Sequence, residues 1–351
     1  MCYNERVFFV SRDRIFPVPK SELIRRNRPE EVINEPADPV SDSLRLRGFF
    51  YCLGSSLCYT LTFFLVRCLA GRINPDWILC VRESVGVLAS LPVILILMIR
   101  RKFAWPPIKV TAGLLVAGFF CEFLGARMRI WSYAVLGLVL ANPLIQISTI
   151  LETLLLGAIF LRERVSWKKC AVFVILTAAI LTIALSRTKM EPLLKDSFLT
   201  SHIGWGIGLA LLTGLGHTLF YVIMRKISKK ESPSDPPAAP LVLSMFLICL
   251  VGAVTGGGFF LAKEGMSAFW TAPGICWGLA LAAGVSVSVA FLLLNLGLQY
   301  ASASKVTMIA VSQLVLLTLL GRFVLHEPTN PLIWLGLTLA CVGILLTIDL
   351  D

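Results

Sequence analysis

Six ionisable side chains lie inside long apolar stretches in the first half of this sequence. Three are basic and three are acidic, so they can pair with one another: Arg82, Glu83, Glu122, Arg127, Arg129 and Glu152. A charge in such a setting is costly unless it meets another charge, a polar cavity or the surface. Arginines and glutamates together could bind an anionic group and, beside it, a proton or a cationic group. The second half offers only His217 in comparable stretches.

The spacing of these residues suggests how they are arranged. Glu122 and Arg129 are seven residues apart, which places them near one face of an α-helix and about 10 Å apart along it, whereas Arg127 would point about 140° away from Glu122. Three amides lie in neighbouring apolar stretches. The candidate binding residues are therefore Arg82, Glu122, Arg127, Arg129, Gln146, Glu152, Asn295 and Gln313. Two other interpretations stay open: Arg127 and Arg129 reach the membrane surface, and Arg82 with Glu83 forms an interfacial pair.

Composition identifies the elements that must hold these residues. The chain is 57% hydrophobic and only 15% charged, whereas soluble domains are about 25% charged. Continuous apolar blocks of about 20 residues indicate helices that cross a bilayer. We predict an all-α integral membrane protein with ten transmembrane helices, at 49–67, 77–99, 110–133, 138–161, 169–186, 203–224, 240–262, 272–299, 304–324 and 332–348.

Basic residues predict the orientation. Residues 1–47 are polar and basic, and we interpret them as a disordered cytoplasmic tail. With the N-terminus inside, 22 Lys and Arg residues fall on the cytoplasmic side and nine on the other, which predicts that both termini are cytoplasmic. The net charge of +11 follows from these tail and loop residues and does not indicate nucleic-acid binding. The plasma membrane or an inner membrane is the favoured location.

The two halves of the sequence resemble each other. The segment 155–163 aligns with 319–327 at an offset of 164, and Thr60, Leu61 and Arg67 align with Thr218, Leu219 and Arg225 at an offset of 158. We predict two repeats, 48–187 and 202–348, of five helices each. An odd number of helices inverts the second repeat, and inverted repeats place a binding site near the bilayer midplane. Three Gly-x-x-x-Gly pairs predict close helix packing, beginning at Gly204, Gly252 and Gly274.

Short motifs in both repeats resemble the EamA-type drug/metabolite transporter superfamily. In the first repeat they are Tyr133-Ala134, Asn142-Pro143, Leu161-Arg162-Glu163 and Trp167; in the second they are Tyr300-Ala301, Leu325-His326-Glu327 and Pro331. Arg82 also matches a position where this family often has Arg. The resemblance implies ten helices, cytoplasmic termini and secondary transport of small metabolites. The second repeat departs from the pattern, because it has no counterpart of Pro143 and its helix seven has no Arg.

The expected function is secondary transport of a small metabolite or drug-like solute by alternating access. A membrane receptor or scaffold that does not transport is the alternative, and a polar cavity between the repeats would favour transport over it. An enzyme is less favoured, since the sequence has no GxxxxGK[ST], HExxH or GxSxG motif. We expect no cofactor, no metal and no nucleic acid. The expected partners are a small-molecule substrate and the lipid bilayer. A coupling proton or ion and a second copy of the chain in a homodimer are further options.

Overall fold

The computed structural model describes six stretches of the chain, and their regular elements are helices. The stretches are residues 39–100, 105–160, 167–190, 197–227, 241–300 and 303–346. Some side chains within them, including that of Asn295, are not described. Residues 1–38 of the predicted tail, the segment 161–166 and the connection 228–240 lie outside the described residues.

The described helices follow the predicted apolar blocks closely. They are α1 Pro39–Leu69, α2 Pro75–Ile99, α3 Ile108–Phe119, a π-helical segment π1 Phe120–Arg127, α4 Met128–Phe160, α5 Trp167–Met190, α6 Ser197–Ile227, α7 Leu241–Phe269, α8 Gly274–Tyr300, α9 Ala303–Phe323 and α10 Pro331–Leu346. Proline begins α1, α2 and α10, because the first turn of a helix needs no backbone N–H there. Helix α1 therefore begins at Pro39, ten residues before the predicted start at 49, since apolar content does not mark its polar first turns.

These helices are suited to a membrane. Six described segments are long and apolar enough to span a bilayer, and three shorter apolar helices accompany them: Cys170–Ser186, Gln313–Phe323 and Pro331–Leu346. Large apolar side chains such as Leu88, Ile99 and Val285 lie exposed on the outside, as a lipid-facing surface requires. The prediction of a multi-pass helical membrane protein is confirmed.

One apolar span is divided by a glycine. Ile108–Leu156 has 49 residues, more than twice the roughly 20 that cross the hydrocarbon core. Its helical geometry is interrupted at Gly137, where φ is 73° and ψ is 179°. Glycine adopts a positive φ without the steric penalty that other residues meet. The interruption lies between the third and fourth predicted helices.

The most extensive helix contacts join the first half of the chain to the second: α4 with α6, α2 with α7, and α5 with α10. Gly252 and Gly256 allow the close approach of α7 to α2. A Cβ atom at Gly256 would lie 2.9 Å from the carbonyl oxygen of Asp76, and one at Gly252 would lie 2.7 Å from Glu83 Cγ. This agrees with the small-residue motif. The other two motifs differ, because Gly208, Gly274 and Gly278 have nothing within 4 Å of such an atom.

Candidate functional site

A cavity of about 200 Å³ lies among helices from both halves of the chain. Side chains of α1, α2, π1, α4, α6, α7, α8 and α9 form its wall. The wall is mainly apolar and aromatic with a few polar groups, a composition typical of small-molecule sites. The structure brings five of the eight candidate residues together on this wall: Arg82, Glu122, Arg129, Gln146 and Gln313.

A buried cluster of three charges forms one part of the wall. Arg82 of α2 is 4% exposed, and its Nη2 lies 3.2 Å from Oε2 of Glu122. The same guanidinium group pairs with Glu83, the next residue in the sequence. One cation therefore pairs with two carboxylates, which leaves one negative charge in excess when all three groups are ionised. Gly284 of α8 packs against this region, since a Cβ atom there would lie 2.6 Å from the Arg82 carbonyl oxygen.

The π-helical segment π1 positions Glu122. Cys121, Glu122 and Ala126 all lie on the cavity wall, and they belong to the eight residues of this segment. A π-helix bonds residue i to i+5 instead of i+4, and such segments occur frequently at functional sites. The α-helical spacing used for the sequence does not apply here, yet Glu122 and Arg129 still reach the same cavity. The π geometry was not predicted.

Arg129 differs from Arg82, the other buried arginine of the described chain. Its side chain is 5% exposed and lines the cavity, yet its Nε and Nη1 atoms have no hydrogen-bond partner. The guanidinium carbon lies 4.0 Å from the centroid of the Phe63 ring, a favourable cation–π distance. The remaining nitrogen, Nη2, lies 3.4 Å from Nε2 of His217.

The hydrogen bonds of His217 define its tautomer. Its Nδ1 lies 2.7 Å from the carbonyl oxygen of Thr213, and a carbonyl can only accept, so Nδ1 carries the hydrogen. In the neutral ring Nε2 is then an acceptor that faces the Arg129 donor. A neutral His217 therefore contributes a lone pair to Arg129 but no charge. His217 therefore does not neutralise the charge of Arg129 as a carboxylate would.

Arg127 lies away from the cavity wall and has a partner of its own. Its Nη2 lies 3.0 Å from Oδ2 of Asp76, and its Nε also contacts this carboxylate. Its guanidinium carbon is 5.2 Å from the Phe123 ring centroid and 4.7 Å from that of Phe259. Asp76 is 1% exposed. This saturated pair links π1 to the start of α2.

The other two candidate residues are not placed on the cavity wall. Ser148 donates a hydrogen bond of 2.8 Å to Oε1 of Glu152, whereas Oε2 of Glu152 has no partner. Glu152 is half-buried and lies outside the residues that line the cavity. The side chain of Asn295 lies outside those that the structure describes.

Several wall residues were absent from the predicted set. Glu83 and His217 carry ionisable groups, and Tyr59, Phe63 and Tyr221 supply aromatic rings. Glu83 could have been included, because it stands beside Arg82 in an apolar stretch. Sequence offers no comparable signal for the rings, since aromatic side chains are common on any membrane helix.

A second charged cluster lies at the broken helix and contains Glu327, Arg67 and the backbone after Gly137; we call it the Glu327 clamp. The amide of Leu138 donates to Oε1 of Glu327 at 2.9 Å, and that of Val139 donates to Oε2 at 2.8 Å. Arg67 Nε lies 2.8 Å from Oε1. The carboxylate thus caps the N-terminus of the second part of α4, where a negative charge is favoured. The clamp joins α1, α4 and the loop after α9.

Metal-ligand groupings are absent from the described part of the chain. No three or more His, Cys, Asp or Glu side chains lie together there as a metal site would need. The charged clusters that do occur pair guanidinium groups with carboxylates. Their chemistry is the recognition of charge and the formation of hydrogen bonds.

Comparison with known proteins identifies the family. A solved crystal structure of a protein matches with a TM-score of 0.56 and 15% sequence identity, over 88% of this chain and 97% of the other, which supports the shared fold alone. Among curated proteins, no sequence matches this chain. A sequence profile of the EamA-like transporter family matches twice, over residues 46–185 and 204–349. The chain therefore belongs to the EamA-like transporter family.

Proposed function

We propose that this protein is a secondary transporter that moves a small solute across the membrane by alternating access. The observation that carries the proposal is the cavity between the halves, which holds buried charges in an apolar wall. Such charges are expensive in a bilayer and are kept where they bind solutes or ions. A receptor or scaffold needs no cavity of this kind, and the family whose profile matches both halves of the chain is one of transporters.

We further propose ten membrane crossings in two inverted repeats, 48–187 and 202–348, with both termini in the cytoplasm. The break at Gly137 supports this count, because it divides the longest apolar span into two. Reporter fusions at Met1 and Asp351 test the orientation. Both should give a cytoplasmic signal, and opposite signals would contradict an even number of crossings.

The Glu327 clamp is proposed to close one entrance to the cavity. It ties the end of α1 to α4 and to the loop after α9, and the distribution of basic residues puts these ends on the external side. In this proposal the structure is closed to the outside. Opening the external side would require the clamp to release.

A coupling proton or cation is proposed to bind at Glu83 and Glu122. Arg82 alone pairs with both carboxylates, so the three groups carry a net charge of −1 when all are ionised. Binding of a proton or a cation would neutralise this excess charge inside the membrane. The excess charge thus gives a physical reason for coupling solute movement to an ion.

Uptake into liposomes reconstituted with the purified protein tests transport. A panel of metabolites of different charge is measured with and without a proton gradient, with empty liposomes as the first control. A variant that loses one exposed charge, Lys263→Gln, is the matched protein control. Uptake of at least one solute above the empty-liposome background is expected for the parent and, to the same extent, for Lys263→Gln. Retained folding without uptake of any solute under either condition would contradict transport and favour the scaffold.

A further inference from the structure

We infer that the solute carries an anionic group, a carboxylate or a phosphate, which binds to Arg129. This inference rests on the proposed function and specifies the substrate class of the same cavity. Arg129 lines the cavity and is 5% exposed, and two of its three nitrogens have no partner. A buried guanidinium group with unfilled donors is costly unless an anion or acceptor completes it.

The neighbouring carboxylates do not complete Arg129. Glu83 and Glu122 pair with Arg82, and Asp76 pairs with Arg127. Within the described residues, Arg129 makes no ion pair. The cavity therefore separates charge: the Arg82 cluster has excess carboxylate, and Arg129 supplies a cation with free donors. An anion bound at Arg129 would neutralise the positive charge of this side chain.

The other contacts of Arg129 orient it without satisfying its charge. The Phe63 ring covers one face of the guanidinium group at 4.0 Å, and His217 contacts one nitrogen at 3.4 Å. The neutral Tyr133 hydroxyl is a further neighbour and brings no negative charge. A cation–π contact uses the face and leaves the N–H groups at the edge free. Carboxylates and phosphates accept such N–H groups in charge-assisted hydrogen bonds.

The remaining wall predicts the rest of the solute. Phe63, Phe220 and Phe291 contribute rings to the wall, and Ile248 and Leu294 contribute aliphatic groups. A hydrophilic solute would leave its polar groups without partners against these side chains. Gln146 and Gln313 on the same wall offer partners for only a few further polar groups. The solute should therefore combine one anionic group with a mainly apolar or aromatic body.

Four small probes of similar shape and different charge test the inference. They are benzoate, phenyl phosphate, neutral benzamide and cationic benzylamine. Binding is measured as the shift in the melting temperature of the purified protein, and transport as uptake into proteoliposomes. We expect at least one of the two anions to bind on the order of 10-fold more tightly than benzamide or benzylamine, because hydrogen bonds to charged groups are stronger than neutral ones. The two anions tell a carboxylate site from a phosphate site.

Two substitutions locate the anion preference. Arg129→Gln should abolish it, Arg129→Lys should keep part of it, and the exposed control Lys263→Gln should leave it unchanged. Without ligand, Arg129→Gln should be at least as stable as the parent, because it removes a buried charge that lacks an ion-pair partner. A purely structural role for Arg129 would instead lower the melting temperature.

The two readouts separate this inference from transport itself. Failure of both anions to shift the melting temperature would overturn the inference, as would binding of benzamide or benzylamine equal to that of the anions. A preference for anions that persists in Arg129→Gln would overturn it too. Uptake of neutral or cationic solutes alone would reject the anion site and leave transport standing. Anion binding without uptake of any solute would reject transport and leave the anion site standing.

Discussion

The Glu327 clamp and the cavity use the same two groups, guanidinium and carboxylate, in different ways. In the clamp, both oxygens of Glu327 accept backbone amides, and Arg67 adds an ion pair. In the cavity, Arg129 keeps two nitrogens without partners. A buried charge whose hydrogen-bonding groups are all used stabilises an arrangement, whereas a charge with free donors on a cavity wall is available to bind a ligand there. Saturation of hydrogen bonds thus distinguishes structural charges from binding charges.

The Arg82 cluster is intermediate between the fully bonded clamp and Arg129, because one guanidinium group pairs with two carboxylates. Its loss should have the largest effect on stability. Arg82→Gln leaves Glu83 and Glu122 buried without a cation, and breaking a buried pair costs about 3–5 kcal/mol. We expect a strongly lowered melting temperature and reduced expression in the membrane. The double variant Arg82→Gln/Glu122→Gln should recover part of the loss. A single variant as stable as the parent would mean that the carboxylates do not depend on Arg82.

Removing the charge of the clamp should have the next largest effect. Glu327→Gln replaces one acceptor oxygen by a donor that faces a backbone amide, which costs about 1.5–3 kcal/mol for a charged hydrogen bond. The melting temperature should fall, and the proposed external entrance should become more accessible to a thiol-reactive reagent. Arg67→Gln should have a smaller effect, because Arg67 is 25% exposed. Additive effects of the two substitutions would contradict their coupling in the clamp.

A backbone change at the same clamp should follow in magnitude. Gly137→Ala places a Cβ atom 2.7 Å from the Glu327 carboxylate, and a backbone with positive φ and ψ near 180° costs a non-glycine residue on the order of 1–3 kcal/mol. Gly265→Ala is the matched control, because its φ is also positive and nothing lies within 4 Å of a Cβ atom there. The difference between their melting temperatures measures the clash alone. Equal losses would mean that the carboxylate moves aside freely.

The sequence predicted the features that depend on composition over many residues. Long apolar blocks indicated membrane helices, and the rarity of charges within them indicated Arg82, Glu122 and Arg129. The cost of placing a charge in lipid makes this signal strong. Membership of the transporter family also followed from short motifs that recur in both halves.

The sequence could not predict which charges meet across the fold. Arg127 pairs with Asp76 across 51 positions, and Glu327 binds Leu138 across 189. The π-helical geometry of π1 has no local composition signal, and it alters the face on which each side chain lies. From sequence alone, Glu122 and Glu152 have the same interpretation, because apolar residues surround both acids. Their different surroundings appear only when the helices are packed.

That difference leads to the smallest expected effect, at Glu152. Its carboxylate is half-buried, lies outside the cavity wall and is held by Ser148 of the same helix. Glu152→Gln keeps the shape and removes the charge. Uptake should therefore change by less than about twofold, and the free energy of unfolding by less than about 0.5 kcal/mol.

Glu122→Gln is the matched comparison, because it makes the same chemical change within the Arg82 cluster. Uptake should fall at least about tenfold for Glu122→Gln while membrane expression stays normal. If Glu152→Gln loses uptake and Glu122→Gln does not, transport depends on the Glu152 carboxylate of α4. The coupling ion would then not bind at Glu83 and Glu122 as proposed.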